Sequence, residues 1–145
     1  LGFETAEVSD PQLGNFPLRV IRLMTNVCFR RPDGSFSEAF EAVVDTGAFV
    51  SVLPRNIWRE IKREIKVADA SFGGISERKQ CQIKCSIGTV TCFLTDERGN
   101  RSHDYNIVAF LAKTDKVPLI IGFADLLEKM RTCFRYQIGE AWIED

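Results

Sequence analysis

The chain has 145 residues, 45% of them hydrophobic and 27% charged, with 19 basic residues against 20 acidic and a net charge of −1. This composition excludes a disordered polymer and suits one globular domain, and the near balance of charge removes any general pull toward nucleic acid or an anionic membrane. No run approaches the roughly 20 apolar residues of a membrane helix, and the first residues lack the basic and apolar regions of a leader.

Residues 1–15 are polar and turn-rich and read as an arm or an extra edge strand, ahead of a single domain over 16–145. The chain opens on Leu1 rather than Met, so a processed or excised segment is expected. Over residues 18–29, Ile21, Leu23, Val27 and Phe29 share one period-2 face, which predicts a half-buried strand. Arg30-Arg31-Pro32-Asp33-Gly34-Ser35 is a turn, because Pro presets φ and Asp-Gly accepts hairpin geometry. Residues 36–44 carry two signals: Ser35-Phe36-Ser37-Glu38 has the form of a helix capping box, whereas the hairpin turn predicts a returning strand. The ending Val43-Val44 selects the strand, which delivers Asp45.

The chain is organised around the stretch from Ala42 to Pro54, where an apolar run places one acid in a turn, Asp45-Thr46-Gly47-Ala48, and then resumes through Val50-Ser51-Val52-Leu53. A carboxylate leaving a buried strand needs donors, and the amides of Gly47 and Ala48 are placed to supply them. On spacing alone a plainer reading stands beside the catalytic one, in which Asp45 only bonds its own turn.

Pro54 suits a first helical position, and Ile57, Trp58, Ile61 and Ile65 recur at helical spacing, predicting a helix over 54–66. Its other face mixes Arg59, Lys62, Arg63 and Lys66 with Glu60 and Glu64, a solvated face rather than a phosphate site. Gly73-Gly74-Ile75 lies in a flexible turn that is either an ordinary hairpin loop or a flap over a cleft. Residues 81–95 alternate about Gly88 as two strands or one long bent strand. His103 sits in the polar loop 96–104 and receives no catalytic role. Residues 105–112 and 117–122 read as strands, 123–130 as a short helix, and 133–143 as an aromatic, strand-like tail.

The 5 cysteines, Cys28, Cys81, Cys85, Cys92 and Cys133, cannot all pair within one chain, which favours reduced thiols and a cytoplasmic compartment. Their spacing with His103 matches no compact zinc pattern, so no metal and no cofactor is expected.

Taken in order, Val43-Val44-Asp45-Thr46-Gly47-Ala48 followed by Ser51-Val52-Leu53, then Gly73-Gly74-Ile75, then Leu119-Ile120-Ile121-Gly122, resemble the retropepsin-like aspartic proteases, and cellular or bacterial members more than viral ones. The resemblance runs from about residue 16 to the C-terminus. It implies a mostly β fold, a closed antiparallel β-barrel of the retropepsin type with two short helices. It implies an endopeptidase that works as a homodimer on a peptide or protein substrate, each subunit giving one Asp45. Thr46 would bond across the dimer axis and Gly47 would offer backbone to the substrate. Ala48, Val50, Gly73, Gly74, Ile75, Leu119 and Ile121 would line the substrate site, with Ile75 near the flap tip. The alternative is a catalytically silent peptide-binding or assembly domain on the same fold. The chain departs from the viral pattern at two positions, Phe49 and Phe123, where viral members commonly carry an acid and an Arg that pair.

Overall fold

The computed structural model describes residues 1–73 and 82–145. Among these the chain forms ten strands and one short α-helix, joined in places by single 3-10 turns, so the fold is mostly β. No helix among the described residues is long and apolar enough to cross a membrane.

Strand β1 (Gly2–Val8) runs antiparallel along the first half of β2 (Leu18–Phe29), from Gly2 opposite Met24 to Val8 opposite Leu18. Alternation predicted β2 over the same span, but its two halves differ. Val27 and Phe29 are buried, whereas Ile21 is 38% exposed. The second half lies between β3 (Phe40–Val44) and β6 (Ile83–Thr95), while the first half has the edge strand β1 at its side.

Between β2 and β3, Gly34 takes a φ of 86° and donates its amide to Arg31 O at 3.0 Å, as the Asp-Gly pair predicts. No helix starts at Ser35. Regular strand begins at Phe40, because Ser37 is tied back to Phe29: its hydroxyl accepts the Phe29 amide at 3.0 Å and its own amide donates to Phe29 O at 2.8 Å.

Strand β4 (Ser51–Leu53) leads through Pro54 into α1 (Arg55–Trp58). The helix predicted over 54–66 therefore stops at Trp58, and residues further on form β5 (Arg63–Phe72) against β6. Ile57, Ile61 and Ile65 do recur at helical spacing, but Ile65 and Val67 also alternate with charged neighbours, and β6 offers that alternation a backbone ladder. Ile61 turns into the core, and Ile65 is left 43% exposed on the sheet edge. Strand β6 is one continuous strand of 13 residues through Gly88. A Cβ on Gly88 would stand 2.7 Å from the Glu64 carbonyl oxygen, so glycine lets β5 press close where the register slips.

Strand β7 (Tyr105–Ala112) pairs antiparallel with β6 and parallel with β4, and β8 (Ile120–Ile121) lies between β3 and β4. The order across the sheet is β1-β2-β3-β8-β4-β7-β6-β5, and the extra pairing of β2 with β6 turns it back on itself. Phe29, Leu53, Ile61, Ile107, Leu111 and Ile121 fill the core, each such burial contributing about 1.5–3 kcal/mol.

The helix predicted over 123–130 is reduced to a 3-10 turn, Leu127–Lys129, so the count of two helices is corrected to one. Asp125 takes a φ of 66°, which a right-handed helix cannot propagate through, and its carboxylate accepts the Val108 amide at 3.0 Å. The tail folds into β9 (Arg131–Arg135) and β10 (Glu140–Glu144), a separate antiparallel hairpin.

Candidate active site

Val44 anchors the end of β3 in the core, and the next residue, Asp45, opens a turn that returns to β4 at Ser51. Asp45 is half-buried, and Thr46 and Gly47 are exposed. The Asp45 Oδ1 accepts the Gly47 amide at 2.9 Å, while the Ala48 amide goes to the Asp45 carbonyl at 3.2 Å instead of the carboxylate. One of the two donors expected from sequence therefore reaches the side chain. Among the described residues the second carboxylate oxygen has no hydrogen-bond partner. A Cβ on Gly47 would lie 3.2 Å from Asp45 Oδ1, so the absence of a side chain there keeps the approach to the acid open.

The turn does not stand alone. Val43 and Asp45 donate their amides to Leu119 O at 2.9 Å and Ile121 O at 3.0 Å. In return Phe123 and Ala124 donate to Ala48 O and Phe49 O, each at 2.9 Å, and the Gly122 amide donates to Ser51 Oγ at 3.1 Å. Residues 43–51 are thus laced to 119–124 on both sides of β8. The approach is so tight that a Cβ on Gly122 would sit 2.3 Å from the Val50 carbonyl carbon.

Of the residues singled out from sequence, Asp45, Thr46, Gly47, Ala48 and Val50 lie together on this turn, with Ala48 and Val50 half-buried. Leu119 and Ile121 are beside them, but their side chains are enclosed in the core; the Ile121 carbonyl meets the turn at Asp45 and the Leu119 carbonyl meets β3 at Val43. Gly73 is exposed at the end of β5, where the preceding Phe72 stacks on Phe110 with centroids 4.9 Å apart and planes 4° from parallel. Gly74 and Ile75 lie outside the described residues. Ser51 was part of the motif but its buried hydroxyl bond was not foreseen; no local signal in the sequence marks a hydroxyl 71 positions away from its partner.

Phe49 is 85% exposed and Phe123 is 48% exposed, and the paired backbone of 48–49 and 123–124 holds them in one region next to the acid. A cleft of about 620 Å³ lies elsewhere, among residues such as Met24, Asn26, Arg98 and Trp142. Among the described residues, the turn thus presents a single carboxylate, on backbone that is bonded to residues 119–124. A lone carboxylate acts as base or as acid, and amide hydrolysis by water needs both at the start.

The family described as "RVP: Retroviral aspartyl protease" matches residues 17–134. No curated protein matches the chain. Among solved structures, EIAV protease complexed with the inhibitor HBY-793 is similar, with a TM-score of 0.45 and 19% identity over 74% of this chain and 88% of that one.

Proposed function

The chain belongs to the retroviral aspartyl protease family, and from that premise we propose that it is an aspartic endopeptidase whose site is completed by a second copy of itself. The observation that carries the reading is the placement of Asp45: a half-exposed carboxylate on a turn whose Asp45 amide donates to Ile121 O and which leads into Ser51, whose hydroxyl accepts the Gly122 amide.

Two such turns meeting at a twofold axis would bring two carboxylates together. They cannot both ionise easily, so they hold one proton between them. The ionised one takes a proton from water, and the protonated one gives its proton to the amide oxygen; the pair titrates as a unit. Exposed Thr46 is free to bond across the axis, and exposed Gly47 leaves backbone available to the peptide. Ala48 and Val50 would form the pocket floor with Leu119 and Ile121 behind them, and Gly73, Gly74 and Ile75 would belong to the substrate site. The ring of pairings through β2, β3, β8, β4, β7 and β6 supports the closed barrel of this family. We read residues 16–145 as the domain and 1–15 as an added edge.

The silent peptide-binding reading is favoured by one observation, the exposed Phe49 and Phe123 where viral relatives commonly carry charge. A peptide-library digest of wild type beside Asp45→Asn, with sedimentation at the same concentrations, separates the two. Asn can still accept the Gly47 amide, so the variant should fold and dimerise but not cut. Cleavage by that variant, or binding without cleavage by wild type from acidic to neutral pH, rejects the peptidase.

A further inference from the structure

The peptide group between Ile121 and Gly122 is held from both sides. Its carbonyl accepts the Asp45 amide at 3.0 Å, and its N–H donates to Ser51 Oγ at 3.1 Å. A trans peptide is planar, with C=O and N–H pointing in opposite directions, so the two bonds are made by one rigid plate. Turning the plate to release Ser51 also turns the carbonyl away from Asp45.

Ser51 is fully buried between Val50 and Val52, in a place where a polar group needs a partner. The neighbouring amides, Phe123 and Ala124, reach backbone carbonyls of the turn. Gly122 does not, because at this point the two backbones have closed to contact, as the 2.3 Å separation of a virtual Cβ from Val50 shows. Among the described residues this is the one side-chain hydrogen bond between residues 45–53 and 119–124.

We propose that Ser51 is a positioning residue for the reaction: through the Ile121–Gly122 peptide its hydroxyl sets where Asp45 stands relative to the second carboxylate. The inference rests on the peptidase reading. Small errors in the placement of reacting groups lower rate more than affinity, so the hydroxyl should appear in kcat and not in KM.

Ser51→Thr and Ser51→Val make the test, since they share shape and differ in the hydroxyl. Both are assayed with wild type for kcat, KM, dimer sedimentation and amide hydrogen exchange at Asp45 and Val27. The Thr variant should stay near the wild-type rate, while Val should lose about 10- to 100-fold in kcat with KM little changed. In the Val variant exchange at Asp45 should quicken relative to Val27, whose amide reports the core. Equal kcat and equal Asp45 exchange in Thr and Val variants overturns the inference, as does a Val variant in which both amides quicken equally and kcat is kept. If wild type cuts no peptide, the peptidase reading falls by itself, and the exchange ratio still decides whether the Ser51 hydroxyl holds Asp45 in place.

Discussion

Gly122 and Val50 are in backbone contact: a Cβ on Gly122 would lie 2.3 Å from the Val50 carbonyl carbon and 2.4 Å from its oxygen. Neither atom belongs to a side chain that can swing aside. Any residue larger than glycine must push β8 away from the strand that follows the Asp45 turn.

Gly122→Ala should therefore destabilise the protein by about 1–3 kcal/mol or more, the range for forced overpacking, and abolish cleavage wherever it still folds. Gly2→Ala is the control, because nothing stands within 4 Å of a Cβ there. Urea unfolding of both variants checks the difference, and an unchanged midpoint for Gly122→Ala would contradict the contact.

Phe49 tests how a second copy is met. It is 85% exposed, so its removal takes little from the core of one chain. If the proposed dimer covers the surface next to Asp45, the apolar face of Phe49 would be covered with it. Phe49→Ala should shift the urea midpoint of the isolated chain within about 0.5 kcal/mol yet weaken dimerisation roughly tenfold, or about 1.4 kcal/mol. An apolar contact also responds little to salt, unlike an ion pair. Sedimentation of wild type and variant at low and high salt reads both effects.

Cys92 gives a pH prediction with a definite sign. Burial pushes its thiol from 9.0 up to about 12, with the Asp104 carboxylate adding to the rise. A raised folded pKa contributes stability below the unfolded value that is lost as pH climbs, so the fold should weaken between about pH 9 and 12. At neutral pH the buried thiol is protonated and shielded, whereas Cys133 is half-buried on the tail hairpin. Alkylation followed by peptide mass mapping should mark Cys133 before Cys92, which should react only on unfolding.

What could be read from sequence follows from how local each signal is. Strand β2 over residues 18–29 and the Gly34 turn were legible because alternation and turn chemistry act within a few residues. The helix expected over 54–66 was not, because Ile57, Ile61 and Ile65 satisfy a helical period while Ile65 and Val67 also satisfy a strand period, and only the ladder with β6 decides between them. The helix over 123–130 failed on one backbone angle, at Asp125, set by a contact with Val108. At the candidate site, Asp45, Thr46 and Gly47 were singled out from the motif, and the structure sets them together on one turn. The burial of Leu119 and Ile121 and the bond from Gly122 to Ser51 depend on β8 being enclosed by β3 and β4, which no window of sequence contains.

Mixing subunits tests the shared site most directly. If each active centre takes one Asp45 from each chain, a dimer of wild type with Asp45→Asn holds one carboxylate and one amide. It has no group to share a proton, so base and acid cannot both be present at the start. With roughly equal amounts and random pairing, about a quarter of dimers carry two wild-type chains, and cleavage per wild-type chain should fall to roughly half. A larger excess of the variant should drive it further toward zero. Dilution of wild type alone should lower specific activity in parallel with loss of dimer by sedimentation. Activity per wild-type chain that is indifferent to added Asp45→Asn, in samples shown to exchange subunits, would mean that one chain carries the whole site and that Asp45 works without its copy.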